Sequence, residues 1–260
     1  MRIARFTQGA APLFAVIQSE GGRDFLAVLN GDPLVTPVRP TGERVPLDAD
    51  GVRLLSPVIP RSKVVAVGLN YVDHIREMGH QMPQTPVLFL KPNTSVVGPD
   101  DPIVLPDWTQ EVSYEVELAV VMGKLCKDAT EESARSYVLG YTVGNDVTAR
   151  DAQKTDRQWG RAKGFDSACP LGPWIETDLD PDDVRVTSRV NGVTKQDSTT
   201  ANLLFNVDFL VAHISQAMTL LPGDVILTGT PSGVGQVDHG DVVEVEVEGI
   251  GTLRNPVIRR

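Results

Sequence analysis

The sequence predicts a β-rich α+β fold with a small N-terminal β domain, on three observations. Short runs of Val, Ile, Leu, Phe and Thr bounded by Gly, Pro, Asn and Asp outnumber the helical patterns. The helices that do occur are spaced too irregularly for a doubly wound sheet or a (β/α)8 barrel. A Pro/Asp/Gly-rich stretch near residue 50 separates a strand-only beginning from a mixed remainder. With 260 residues, 41% of them hydrophobic, the chain can bury a sizeable core.

The elements follow in order. "RIARF", "LFAVIQ" and "FLAVLNGDPLV" read as short strands, with Asn30-Gly31 as a hairpin signal. "TPVRPTGERVPLDADGVRLLSPVIP" reads as a linker or loosely ordered connection, so a boundary near Ser56 divides an expected domain 1–55 from a domain 56–260. "KVVAVGL" is a buried strand. "NYVDHIREMG" is a short helix with Asn70 placed to cap it, Asp73 in its first turn and Gly79 at its end. "PVLFLKP" is a strand bounded by prolines, and "EVSYEVELAVVMG" alternates before turning wholly apolar. "SARSYVLGYTVGND" is a helix running into a strand, and "TARDAQKTDRQW" resumes as helix. "VRVTSRVNGVTKQDS" is a hairpin turning at Asn191-Gly192, and "NLLFNVDFLVAHISQAM" is an amphipathic helix. "DVILTGTPSGVG" and "DVVEVEVEGIGTL" return to strand.

A net charge of −10 argues against nucleic acid or an anionic membrane as the main partner. Cys126 and Cys169 form no CxxC and have no nearby histidine pair, which reads as two buried free thiols. The apolar residues of the N-terminus are interrupted by Thr7, Gln8 and Gly9, too early for a signal-peptide core, and no run approaches membrane-spanning length. A cytoplasmic location is the expectation.

Two Glu-x-Glu stretches carry the functional question. In a strand, positions i and i+2 share a face, so Glu115 and Glu117 point the same way. At Glu244-Val-Glu246-Val-Glu248 the charged face simply continues, as on a solvated strand. After Glu117 the same face runs into Ala119 and Val121, while Val116, Leu118 and Val120 fill the other. A strand apolar on both faces is entering an interior, and carboxylates at its mouth need a cation or a shifted pKa. Asp146, ending "YTVGND" before a helix, is either the cap of that helix or a third carboxylate arm. Three carboxylates without clustered Cys or His make a hard oxygen site, suited to Mg2+ or Mn2+ rather than Zn2+. With one dication such a site keeps a charge of −1, so an anionic ligand needs further cations. Arg150, four residues after Asp146 and thus one helical turn on, and Lys163 are the candidates.

"VGLNYVDHIREMG", "PVLFLKP", "YEVELAVVMGK", "GNDVTARDAQ", "RAKGFDSACPLGP" and "LTGTPSGVG" occur in this order, over about residues 56 to 257. Together they resemble the fumarylacetoacetate hydrolase superfamily, especially its small bacterial and mitochondrial members. The first 55 residues resemble the short N-terminal domain of some bacterial members. The resemblance implies a β-roll-like, multilayer catalytic fold, usually dimeric, with Mg2+ or Mn2+ held by Glu115, Glu117 and Asp146. It implies Lys163 as an active-site cation, Arg150 and Gln153 near the substrate, and Thr230 as a ligand of a substrate carboxylate. "GTPSGVG" is not a phosphate loop, because it lacks the Gly-Lys-Ser/Thr ending.

His74 and Glu77 lie three apart, on one helix face, and in hydrolytic relatives such a pair activates water. His80, His213 and His239 are expected to be structural or solvent-exposed, with "GHQMPQTP" a candidate loop over the site. The segment between Arg150 and Lys163 is short compared with the mitochondrial acylpyruvate-cleaving members, so the exact substrate does not carry over. The expectation is a metal-dependent enzyme for a small anionic 2-oxo acid, acting through an enol(ate). It would hydrolyse an acylpyruvate C–C bond or decarboxylate an oxaloacetate-like acid. The alternatives are isomerisation of muconate- or heptadienedioate-type substrates of aromatic degradation, and a non-catalytic metal- or ligand-binding protein. A homodimer is the expected assembly.

Overall fold

The structure, a computed structural model, describes residues 1–260 except Ala10, Met78, His80 and Arg260. The chain opens with an antiparallel meander of β1 (Arg2–Thr7), β2 (Leu13–Glu20), β3 (Arg23–Leu29) and β4 (Pro40–Pro46). Its tight turn is at Gly21-Gly22, where both glycines have positive φ. Asn30-Gly31 is not a hairpin turn: β3 and β4 do pair, but across a connection spanning residues 30–39, in which Asn30 Oδ1 accepts from the Arg39 amide. Residues 36–60, expected as a linker or loose connection, instead carry β4 and β5 (Arg53–Leu55), the latter paired with β1. The segment's polar sequence suits an exposed edge strand as well as a loop.

The mixed part begins with β6 (Val64–Gly68), α1 (Val72–Glu77), β7 (Val87–Lys91), β8 (Val96–Val97), β9 (Ile103–Leu105), β10 (Val112–Tyr114) and β11 (Val116–Met122). Asn70 does not cap α1. Its amide donates to the carbonyls of Phe205 and Thr228 and accepts from the Phe205 amide, tying two distant segments together. A Thr130/Ser133 capping box then starts α2 (Glu131–Ala134), which passes through a 3-10 turn into β12 (Val138–Asn145). The helix expected over residues 148–159 is shorter, α3 (Arg150–Thr155), because its first two residues form β13 (Thr148–Ala149); a separate short helix, α4 (Gly160–Gly164), follows.

The chain ends with β14 (Cys169–Glu176), β15 (Arg185–Val190), β16 (Val193–Thr199), α5 (Val207–Ala217), β17 (Val225–Leu227), β18 (Gly235–Gln236), β19 (Val242–Val247) and β20 (Gly251–Arg259). β15 and β16 turn at Asn191-Gly192, both at positive φ as a two-residue hairpin demands. α5 starts later than its apolar pattern, at Val207, because Asn206 caps it by accepting from the Phe209 amide.

A twelve-stranded sheet runs β4-β3-β2-β1-β14-β12-β11-β17-β6-β7, with β5 and β8 on side branches; a five-stranded sheet runs β16-β15-β19-β20-β9. β10 pairs with β13 and β18 in a third, small sheet. The fold is therefore α+β and strand-rich. The main core gathers Val116, Leu118, Val120 and Met122 of β11 with Val186, Val243, Val245 and residues of α5. A second core takes the opposite β11 face, Ala119 and Val121, with Val64, Ala66, Leu171 and Leu227. β11 is thus buried on both faces. The N-terminal strands hold their own small core around Phe6 and Leu26, and join the large sheet through β1 and β14. Cys126 and Cys169 are buried and free. Among the described residues no helix is long and apolar enough to cross a membrane.

Candidate active site

The ladder pauses at Glu115, between β10 and β11. There two side chains replace strand partners. The Glu115 amide donates to Asn145 Oδ1 at 2.9 Å, and the Val116 amide to Gln196 Oε1 at 3.1 Å. Glu117 re-enters the ladder opposite Gly144, whose missing side chain keeps that neighbouring position small. Asp146 leaves the end of β12 with its amide bonded to the Glu115 carbonyl at 2.9 Å, so one backbone link fixes two of the three acids.

Glu117 Oε2 accepts from the Gly229 amide at 2.7 Å. Gly229 sits at φ +103°, and a Cβ there would meet Asn70 Cβ at 2.8 Å, so only glycine lets this amide reach the carboxylate. Glu115, Glu117 and Asp146 are 4%, 2% and 1% exposed. One oxygen from each lies within 4.8 Å of the others.

Three cations surround these acids. Lys163 Nζ donates to Glu115 Oε2 at 2.9 Å and to Asp146 Oδ2 at 2.5 Å. Arg150 pairs with Glu115 rather than Asp146, while its other arm donates to Gln153 Oε1 at 3.0 Å. Arg150 starts α3, and Asp146 lies before that helix, so the four-residue spacing is not a helical turn. Nor does Asp146 cap α3: the N-cap is Ala149, and the aspartate side chain belongs to the lysines.

The third cation escaped the sequence reading. Lys91, at the end of β7, is 1% exposed and donates to Asp146 Oδ1 at 2.5 Å. Its signal was available, since a lysine closing the apolar run "PVLFLKP" must find a counter-charge if the strand is buried.

The electrostatics divide the acids. Burial alone would raise the Glu115 pKa, but Lys163 and Arg150 overrule it and hold the carboxyl well below its usual range. Burial would likewise lower that of Lys163, and Asp146 with Glu115 overrule it upward. Among the described residues no cationic side chain bonds Glu117, and burial, then Asp146, then Glu115 push its pKa well up. With all three ionised, the acids balance the three cations. A hard dication fits here: the donors are all carboxylate oxygens, each with a lone pair beyond its hydrogen bond, and Glu117 lacks a counter-charge.

The cluster opens into a cavity of about 290 Å³ lined also by His74, Thr230, Gln153, Phe89 and Trp159. Phe89 and Trp159 pack edge to face at 5.3 Å, and Lys163 Nζ lies 5.0 Å from the Phe89 ring centre. Sequence reasoning did not single out either aromatic residue.

On α1, His74 Nδ1 and Glu77 Oε2 lie 3.1 Å apart. Glu77, 40% exposed, also accepts from the Gly233 amide, and Asp73 accepts from Ser232. Thr230 Oγ1 accepts from Gln196 Nε2 at 2.8 Å. The structure thus gathers Glu115, Glu117, Asp146, Lys163, Arg150, Gln153, Thr230 and His74 around one cavity, with Glu77 behind His74. His213 stacks on Phe209, and the exposed His239 accepts from the Arg259 amide. His80 lies outside the described residues.

Residues 63–258 match the family model described as Fumarylacetoacetate (FAA) hydrolase C-terminal, and residues 1–57 match Rv2993c-like, N-terminal. A 5-carboxymethyl-2-hydroxymuconate delta-isomerase from Mycobacterium smegmatis superposes with TM-score 0.92 at 49% identity, covering 100% of both chains. Oxaloacetate tautomerase FAHD2B, mitochondrial, of Homo sapiens is 44% identical over 80% of this chain and 70% of its own length. Fumarylpyruvate hydrolase from Pseudomonas aeruginosa, solved in complex with Mn2+ and pyruvate, superposes with TM-score 0.73 at 32% identity, over 82% of this chain and 94% of that one.

Proposed function

The chain belongs to the fumarylacetoacetate hydrolase family, a family of enzymes, and on that premise we propose a divalent-ion-dependent enzyme that moves a proton beside the carbonyl of a small 2-oxo acid. The observation that carries this reading is the balanced cluster of three buried acids and three buried or half-buried cations opening onto one imidazole. With a dication the cluster becomes net positive by two, matching a dianion such as oxaloacetate.

Glu115, Glu117 and Asp146 would hold Mg2+ or Mn2+, which would supply Lewis-acid polarisation of the 2-oxo group. Thr230, Arg150 and Gln153 bind the substrate carboxylate and its neighbouring oxygen. Lys163 offsets charge as the enolate forms. Glu77 accepts the Nδ1 proton of His74, leaving Nε2 as the free base toward the cavity. His74 takes a proton from the carbon next to the 2-oxo group, and the imidazolium so formed gives that proton to the enolate oxygen, yielding the enol and restoring the neutral imidazole. The reverse path gives the ketone. The related tautomerase and isomerase support this choice among enolate reactions.

The second reading, C–C hydrolysis of an acylpyruvate, is favoured by the same His74–Glu77 pair, which would equally activate a water. Decarboxylation of an oxaloacetate-like acid remains the third branch. The test follows enol-oxaloacetate ketonisation, oxaloacetate decarboxylation and acylpyruvate cleavage in parallel, each with Mg2+ or Mn2+ and again with chelator. Metal-dependent ketonisation outpacing the other two is the expected result. Inactivity on all three substrates would remove the proposal. A homodimer is proposed on the family resemblance, and sedimentation showing only a 28.1 kDa species at micromolar concentration would remove it.

A further inference from the structure

Gln196 touches neither the carboxylate cluster nor the cavity, yet it is fully buried and uses its whole amide. Its Oε1 accepts from the Val116 amide at 3.1 Å and from Ser188 Oγ at 2.9 Å. Its Nε2 donates to the Pro231 carbonyl and to Thr230 Oγ1, both at 2.8 Å. The amide cannot be turned round. A backbone N–H on one side demands an acceptor, and a backbone carbonyl on the other demands a donor. Thr230 Oγ1 is therefore an acceptor toward Gln196, and its own proton is directed away from that residue. Thr230 is 4% exposed and lines the cavity.

We infer that Gln196 is a positioning residue: it turns the Thr230 hydroxyl into a donor aimed at the substrate and ties that donor to the backbone between Glu115 and Glu117. This rests on the functional reading above. One amide joins the residue between the two glutamates to the loop that faces the substrate carboxylate. The same loop sends the Gly229 amide to Glu117, Ser232 to Asp73 and the Gly233 amide to Glu77. It can approach so closely because Gly233 is at φ +96°, where a Cβ would lie 2.2 Å from the Lys195 carbonyl. Loss of Gln196 thus weakens substrate capture before it weakens chemistry.

The test compares Gln196→Met, Gln196→Glu, Thr230→Val and the double variant Gln196→Met/Thr230→Val. It uses steady-state kinetics on oxaloacetate, with calorimetric binding of Mn2+ and then of pyruvate to the Mn2+-loaded protein. Hydrogen bonds to charged groups set the expected size, about 10- to 100-fold lower kcat/KM and pyruvate affinity in each single variant, carried mainly by KM. Gln196→Glu keeps the acceptor for Val116 but offers a carboxylate to the Thr230 proton, so it should be at least as damaging as Gln196→Met. Mn2+ affinity should change less than threefold in Gln196→Met. The double variant should be no worse than Thr230→Val, because Gln196 acts through that hydroxyl.

Losses that multiply in the double variant, or a fall in kcat and thermal stability with KM unchanged, would reduce Gln196 to a packing residue and overturn the inference. Pyruvate affinity equal to wild type in both Gln196 variants would do the same. If the wild-type protein neither binds pyruvate nor converts any 2-oxo acid, the functional reading falls, and the inference with it.

Discussion

Glu115-Val-Glu117 and Glu244-Val-Glu246 have the same spacing and differ only in where their strands lie. β19 sits between β15 and β20, with Val243, Val245 and Val247 in the core and its glutamates on the opposite face. Arg189, directly across from Glu244, bonds Glu246 at 2.6 Å and approaches Glu244 at 3.5 Å. These carboxylates stay partly in water. β11 lies between β12 and β17 with core on both faces, so Glu117 on it and Glu115 at its entrance are almost wholly buried and meet water only through the cavity. Every charge near them is supplied by the fold. Alternation therefore says that two acids share a side, and the residues continuing that side say whether it is wet.

The sharpest break of this comparison is removal of a ligand. Glu117→Gln is the cleanest form, because among the described residues no lysine or arginine bonds Glu117 and none is orphaned. Mn2+ binding measured by calorimetry, and metal-dependent turnover, should fall below detection. Asp146→Asn and Glu115→Gln should do the same. Asp146→Asn, like Asp146→Ala, should also destabilise the protein, since Lys91 would lose the carboxylate it is paired with and Lys163 one of its two, at about 3–5 kcal/mol for a broken buried pair. Unchanged Mn2+ affinity in Glu117→Gln would end the proposed site.

The next effect separates the cluster from the base above it. His74→Ala should lower turnover roughly 10²- to 10⁴-fold, the span for a positioned acid–base group, with Mn2+ affinity nearly constant. Parallel kinetics on enol-oxaloacetate and an acylpyruvate check it. Equal loss on both would assign His74 a proton step common to the two reactions, whereas loss confined to the acylpyruvate would assign it to water.

A smaller effect concerns stability without metal. In the folded, metal-free protein Glu117 holds its proton far more tightly than in the unfolded chain. That preference stabilises the fold fully below the unfolded pKa, about 4.3, and is lost as pH rises through the raised folded value. Gln carries no such proton. After chelation, Glu117→Gln should melt above wild type near neutral pH, with a gap that widens as pH rises above about 5. About 2–4 °C per kcal/mol sets the scale for a chain of this size. A gap that narrows with rising pH would mean that a counter-charge reaches Glu117 after all.

The clarity of the sequence tracks how local the controlling physics is. Asn191-Gly192 turns a tight hairpin because the two residues themselves accept positive φ, and nothing distant intervenes. Asn30-Gly31 has the same chemistry but lies in a ten-residue connection, and the glycine pair at 21–22 takes the tight turn. Asn70 stands where a cap should stand, yet contacts 135 and 158 positions away claim its amide. Glu115, Glu117 and Asp146 could be picked out by the apolar continuation of β11 and the abrupt end of β12. Lys91 could not be joined to Asp146, 55 residues on, without knowing that β7 and β12 belong to one sheet. What remained hidden is the long-range pairing that decides which polar groups share a buried space.

The smallest expected effect is the one on which the comparison depends. Glu246→Ala removes a carboxylate whose side chain is 37% exposed and whose partner Arg189 is 31% exposed. Arg189 keeps Glu244 within 3.5 Å and retains access to water, so no buried charge is stranded. Thr252 loses an acceptor at 3.2 Å on a half-buried surface where water can replace it. Exposed pairs of this kind are worth about 0.2–1 kcal/mol before salt screening, so the change in unfolding free energy should stay within about 1 kcal/mol and shrink in high salt. Mn2+ affinity and turnover should equal wild type. Denaturant melts at low and high salt, with one metal titration, measure all of it. A Glu246→Ala variant that loses its metal response would show that alternation alone, and not the burial of the strand carrying it, marks the site.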